Sequence, residues 1–207
     1  MEKYKTILEF SVAEFEEKRS RFIGNLAPVN NEEEAMRFIA KIKSENREAR
    51  HNVHAFVVKD NGISRFSDDG EPHGTAGKPV LDVINGFELK NVCLVVTRYF
   101  GGILLGTGGL CRAYSTAAKL AAESAKIVIM QPHKHFVTEC DYQQYNRLSP
   151  LIERNGGTIE NTEYGEYVTV TYYFKEELCE HYLQQLCETF ANRLSAECIS
   201  EDFAPAL

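Results

Sequence analysis

Two stretches of the chain hold residue types suited to chemistry. The first, Ser67-Asp68-Asp69-Gly70-Glu71-Pro72-His73-Gly74-Thr75-Ala76-Gly77-Lys78-Pro79, places Asp68, Asp69 and Glu71 close together, with His73 inside the run and His51 and His54 upstream. Carboxylates and imidazoles in such proximity can hold a metal ion or move protons, so a small-molecule or metal-assisted hydrolase site built from His51, Asp68, Asp69 and Glu71 is one reading. Acids of a solvated turn or a helix cap are the other. Gly77-Lys78 resembles the end of a phosphate-binding Walker loop. That motif needs Gly where Pro72 stands, and a magnesium-holding hydroxyl where Pro79 stands.

The second stretch runs from an apolar segment, Val92-Cys93-Leu94-Val95-Val96-Thr97, through Arg98-Tyr99-Phe100 into Gly101-Gly102-Ile103-Leu104-Leu105-Gly106-Thr107-Gly108-Gly109, and on to Ser124. This reads as a buried strand, a glycine loop and a helix of small residues. Glycines bare the backbone N–H groups, and such groups at a helix start form an anion site; the same glycines equally permit a tight turn against a neighbouring sheet. The spacing is not that of a dinucleotide fingerprint, because Cys111 stands where the third glycine belongs. Arg98 and Tyr99 offer a guanidinium and an aromatic face for phosphate or base, or else an ion-paired Arg and a half-buried Tyr. No Gly-x-Ser-x-Gly elbow occurs and no cysteine is marked as a nucleophile, so the expectation is a binding module without catalytic residues, cofactor or metal.

Composition narrows the setting. The 207 residues, 43% of them hydrophobic, suffice for two modest cores. Cys93, Cys111, Cys140, Cys179, Cys187 and Cys198 fall in predicted strands and helices without a CxxC pair, which predicts buried reduced thiols. With no signal-peptide-like start and no apolar run near the length of a membrane span, the expected setting is cytoplasmic, with no membrane partner. Net charge is −7 over the whole chain but +1 from Met1 to Pro132. Contacts with nucleic acid would therefore come from a patch on the first half.

The elements that must position these residues can be read from periodicity and punctuation. Residues 7–12 and 20–29 read as strands, with 13–19 as a charged surface segment. Asn30 or Asn31 caps a helix with Glu32, Glu33 and Glu34 in its first turn and Ala35, Phe38, Ile39 and Ile42 on its apolar face. Residues 52–59 and 63–67 form a hairpin whose Asn61-Gly62 predicts a type I′ turn. Thr75 caps a helix over 77–85, and a further helix over 107–124 lies close on the sheet through its small residues. A strand over 127–130 ends the first domain, expected at 1–131. The second, 132–207, reads strand 136–141, a helix stopping at Asn155-Gly156-Gly157, a hairpin of 158–163 with 167–174, a helix carrying Cys179, Tyr182, Leu186 and Phe190, and strand 194–199. That βαββαβ order is ferredoxin-like. The fold class is therefore α+β in two domains.

The two motifs together, with His51-Asn52 upstream, resemble the signatures of the IMPACT family, in particular its bacterial YigZ-type branch. The quoted residues are Ser67 to Gly77 with Pro79, and Thr97 to Gly102 with Leu105, Gly106, Gly108, Gly109 and Leu110. The resemblance implies a first domain that is a two-layer α/β sandwich like the second domain of a small-subunit ribosomal protein. It also implies that the second half is similar to a ferredoxin-like carboxyl-terminal domain of elongation factor G. Eukaryotic relatives are regulators that act on the activation of an initiation-factor kinase through protein contacts, and bacterial members share this one domain with them. The resemblance thus implies a link to translation, with RNA, a ribosomal component or a translation factor as partner. The implied binding surface comprises Asp68, Asp69, Glu71, Thr75, Gly77, Arg98, Tyr99, Gly101, Gly102, Gly106, Gly108 and Gly109.

Overall fold

A computed structural model describes residues 2–206, and the chain divides into two compact units, residues 4–129 and the segment from Met130 onward. In the first unit, β1 (Tyr4–Ile7) precedes a sheet built from β2 (Ser11–Glu17), β3 (Ser20–Pro28), β4 (His51–Val58), β5 (Ile63–Ser67) and β6 (Val92–Tyr99). The order across the sheet is β2-β3-β6-β4-β5, and every neighbouring pair is antiparallel. Three helices cover it: α1 (Glu32–Glu45), α2 (Gly77–Gly86) and α3 (Thr107–Glu123).

Strand alternation divides the core. On one face Phe22, Leu26, Val53, Ala55, Leu94 and Val96 pack with residues of α2 and α3; on the other, Phe56, Val58, Cys93 and Val95 pack with Ala35, Ile39 and Ile42 of α1. A strand covered on both sides has no polar face, which is why β6 reads as an unbroken apolar run. Helix α1 thus adds cover on the second face, while the α+β, two-domain class holds. The small residues of α3 do let it sit close: a Cβ placed on Gly24 of β3 would come within 2.6 Å of the Ala117 carbonyl oxygen.

Several local expectations are corrected. The segment 13–19 is mostly strand, because Ala13 and Phe15 turn toward the core while Glu14 and Glu16 face out. Its turn, Lys18-Arg19, has φ of +48° and +63°, the primed hairpin geometry, between the paired residues Glu17 and Ser20. Conversely, the hairpin of β4 and β5 turns through a 3-10 segment (Asp60–Gly62) after Lys59, and a four-residue connection does not need the type I′ geometry. Helix α1 starts as expected, the Asn31 side chain accepting from Glu34 N at 2.8 Å.

In the second unit β7 (Ile127–Cys140), β8 (Thr158–Tyr164), β9 (Val168–Lys175) and β10 (Glu197–Pro205) order as β10-β7-β9-β8, all antiparallel, with α4 (Tyr142–Arg154) and α5 (Glu176–Phe190) between them. This is the ferredoxin-like arrangement. Val168, Val170, Tyr172 and Phe174 face the helices, as alternation requires. The strand expected over 127–130 continues without a break to Cys140. Pro132 is tolerated within it because the pairing of β7 with β9 begins only at His133. The last strand lies further along than 194–199, since Leu194 packs into the core before β10 begins. Cys187 and Cys198 are exposed, against the expectation of burial, because each lies on an outward-facing position of α5 or β10; Cys93 is buried, and burial pushes its thiol up to about 12.

One pH-sensitive contact ties three strands of this sheet. His135 on β7 contacts Glu160 of β8 at 2.9 Å and Asp202 of β10 at 3.2 Å. Burial alone would lower its pKa, but the two carboxylates outweigh burial and raise it. A raised folded-state value means the stabilisation is complete below the unfolded value of about 6.5 and is lost as pH rises through the folded one. The unfolding midpoint should fall across that window in the wild type, and His135→Gln should flatten the dependence in a pH series followed by circular dichroism.

Candidate functional site

Register brings the two motifs together. Arg98 of β6 lies opposite Phe22 of β3 and His51 of β4, so all three side chains emerge on the face that α2 and α3 cover. The loop after β5 then lays Glu71 over the guanidinium. Arg98 Nη1 donates to Glu71 Oε1 at 2.6 Å, the Tyr114 hydroxyl of α3 donates to the same oxygen at 2.8 Å, and His51 Nε2 stands 3.9 Å from it. Arg98 is 5% exposed and Glu71 9%. The guanidinium also lies 5.5 and 5.4 Å from the rings of Phe22 and Phe100. Burial, with the neighbouring Glu71 charge, holds the Tyr114 hydroxyl far above the usual phenol range, so it remains a proton donor. Of the two readings of Arg98, the observed geometry is the ion-paired one.

Each remaining acid of the first motif also has a structural partner. Asp68 accepts from the backbone N–H groups of Gly74, Ala76 and Gly77 at 2.8, 3.1 and 2.8 Å, and so caps α2. Thr75, expected as that cap, instead donates its hydroxyl to Pro72 O at 2.7 Å. Gly77 is required by contact, since a Cβ there would lie 2.7 Å from the Ser67 carbonyl. Burial would raise the Asp68 carboxyl, but the three N–H donors outweigh it and hold it below the ordinary carboxylate value. The stabilisation is present above the unfolded pKa of about 3.9 and is lost as pH falls through the depressed folded value. Asp68→Ala should cost about 1–2 kcal/mol in urea unfolding at neutral pH, and less in acid.

Asp69 accepts from Lys43 of α1 at 2.6 Å and from Asn52 N at 2.7 Å; burial opposes its ionisation, and these two donors lower its pKa in spite of it. His51 Nδ1 donates to the Asp69 carbonyl at 2.8 Å. The hydrolase set is therefore engaged in holding elements together. Among the described residues no cluster of His, Cys, Asp and Glu is arranged to hold a metal ion.

Arg98 and Tyr99 do not form a joint subsite. Adjacent strand residues point to opposite faces, and the Tyr99 hydroxyl donates to Asn46 Oδ1, at the end of α1, at 2.8 Å. The glycines behave differently again. Gly101 is wedged against the turn before β3, its N–H donating to Ser20 Oγ at 3.2 Å. Gly102 and Gly106 have φ of +83° and +71° in open space. Helix α3 begins at Thr107, after Gly106, with no side-chain cap, and Gly102, Gly106 and Gly108 are not buried. One motif is thus sealed and the other open. The open loop presents Phe100 and Ile103, with Leu104 82% exposed at its tip. Beside it a hollow of about 270 Å³ is lined by Phe15, Glu17, Lys18, Leu105, Gly109 and Arg112, one carboxylate against two cations.

Sequence reasoning missed Tyr114, Lys43 and the cations Lys18 and Arg112. A signal existed for Tyr114, the sole aromatic in a helix whose buried side is otherwise Leu110 and alanines. None existed for Lys43, whose partner lies 26 residues away.

Residues 18–122, which contain both motifs and Tyr114, match the Impact N-terminal domain. The chain belongs to the IMPACT family. Residues 138–193 match the Domain of unknown function (DUF1949). IMPACT family member YvyE of Bacillus subtilis (strain 168) is 38% identical over 175 residues, 84% of this chain and 81% of that protein. IMPACT family member YigZ of Escherichia coli (strain K12) is 38% identical over 154 residues, 73% and 76% of the two chains. Protein IMPACT of Rattus norvegicus is 34% identical over 94 residues, 44% of this chain and 30% of that protein, so the likeness to this relative spans part of each chain. A crystal structure described as that of a hypothetical protein superposes with a TM-score of 0.65 at 32% identity, covering 97% of this chain and 98% of that one. Two-domain architecture and family membership therefore agree. No helix among the described residues is long and apolar enough to cross a membrane.

Proposed function

We propose that this IMPACT-family chain is a cytoplasmic, translation-linked binding module that docks onto a ribosomal component, RNA or a translation factor through the open glycine loop. What carries the reading is the contrast between the two helix starts. Asp68 closes α2, whereas α3 leaves its first amides uncapped beside exposed Phe100, Ile103 and Leu104 and the cations Lys18 and Arg112. Uncapped amides and cations suit phosphate oxygens or carboxylates, and exposed apolar side chains suit a base or a partner's apolar groove. The family resemblance supplies the link to translation.

Co-sedimentation of the full chain with ribosomes at low and high salt tests this. Arg98 is unsuitable for substitution because it is structural, so Leu104→Ser and Arg112→Gln are used. Wild type should pellet with ribosomes, Leu104→Ser should pellet less, and Arg112→Gln should bind with a log–log salt slope shallower by about one. Absence of association at either salt concentration, or equal pelleting of all three proteins, removes the reading.

A further inference from the structure

We infer a nucleotide-binding pocket in the second unit, recognising a base through Gln131 and Tyr173 and its phosphate through Lys175. This site is independent of the glycine loop. Register assembles it: Gln131 lies opposite Ala204, His133 opposite Lys175, and Tyr173 opposite both His135 and Thr158. Strand alternation sends these side chains to the sheet face away from α4 and α5, where Gln131, His133, Thr158, Tyr173 and Lys175 line a hollow of about 330 Å³ together with Gly156, Ala204 and Pro205. That volume is at the low end of the ~300–1,000 Å³ range of ligand pockets, suited to a single nucleotide.

Three observations point to the ligand. Gln131 lines this hollow and is only 4% exposed, and among the described residues its Nε2 has no hydrogen-bond partner. A buried amide without a partner costs stability, and a bound acceptor removes that cost. Tyr173 supplies an aromatic ring, flanked by the imidazoles of His133 and His135 at 5.4 Å each, against which a planar ring can stack. His133 Nδ1 donates to the Gln131 carbonyl at 3.0 Å, which holds that imidazole in place. Lys175 is partly buried and, among the described residues, forms no ion pair; it shares a second hollow with Glu176 and Glu177, which pair with Lys134 at 3.7 Å and Lys3 at 3.0 Å. A primary amide donor, an aromatic face and an unengaged ammonium together match a base carbonyl, the base plane and a phosphate. A free carboxylate or a sugar phosphate would use only the ammonium.

The test is calorimetric titration of the full chain with uridine 5′-monophosphate, set beside ribose 5-phosphate, uridine and a uridine hexanucleotide. The pocket should take the mononucleotide saturably at or below about 1 mM, and ribose 5-phosphate at least tenfold more weakly. Gln131→Met should weaken binding about tenfold or more while keeping or raising the unfolding midpoint, because it removes the orphaned amide. Lys175→Gln should weaken nucleotide binding and leave that of uridine unchanged. Tighter binding of the hexanucleotide per site identifies RNA as the source of the nucleotide; equal binding identifies the free mononucleotide. Absence of saturable binding, equal binding of ribose 5-phosphate, or indifference to Gln131→Met overturns the inference. Ribosome association of Gln131→Met is read separately, so failure here leaves the glycine-loop reading untouched.

Discussion

Glu71→Ala should destabilise the first unit by about 3–5 kcal/mol, the cost of leaving one member of a buried ion pair without its partner. The Arg98 guanidinium would remain beneath α2 and α3 with its acceptor gone, and Tyr114 would lose the acceptor for its hydroxyl. Against a total stability of about 5–15 kcal/mol typical of folded proteins, such a loss approaches global unfolding. The chain contains no tryptophan, so far-ultraviolet circular dichroism in urea is the suitable readout. A double variant, Glu71→Leu with Arg98→Met, removes both charges and should lose much less than the single change. A Glu71→Ala protein within about 1 kcal/mol of wild type would mean that the pair is solvated, and the sealed reading of the first motif would fall.

The second large effect is expected at Gly101. A Cβ there would lie 2.0 Å from both the carbonyl carbon and oxygen of Arg19, main-chain atoms that cannot rotate away. Gly101→Ala must therefore push the glycine loop off the turn before β3, at about 1–3 kcal/mol, and it should also lower ribosome association because Phe100 and Leu104 move with the loop. Gly102→Ala is the control. Its Cβ meets open space and its cost is limited to the positive φ of +83°, about 1 kcal/mol. Equal midpoints for the two variants in urea unfolding would show that the loop is not wedged.

Much of the fold could be read because its signals are local. Asn31 before three glutamates marks the start of α1, and alternating Val168, Val170, Tyr172 and Phe174 marks the buried face of β9. Both depend on residues a few positions apart. The turn at Lys18-Arg19 was not legible, since neither residue is a usual occupant of positive φ and tertiary pairing of Phe15 with Phe22 at 5.4 Å overrides local preference.

Long-range pairings limited the reading of the site. Arg98 and Glu71 are 27 residues apart, and only the strand register shows that they share a face. The cap of α2 comes from Asp68, nine residues before Gly77, so local capping rules select Thr75 instead. An acid-rich, glycine-rich segment looks like a solvated loop. Here Asp68 closes α2, Asp69 engages Lys43 and Asn52, and Glu71 joins β6 to α3, so the segment fastens the first unit together.

The Lys18-Arg19 turn has a consequence of its own. Left-handed backbone at two side-chain-bearing residues costs roughly 1–2 kcal/mol each, a strain that Asn-Gly would largely relieve. The hairpin tip therefore gives up conformational ease to carry two like charges, and a more stable molecule is within reach of two substitutions that leave every core atom in place.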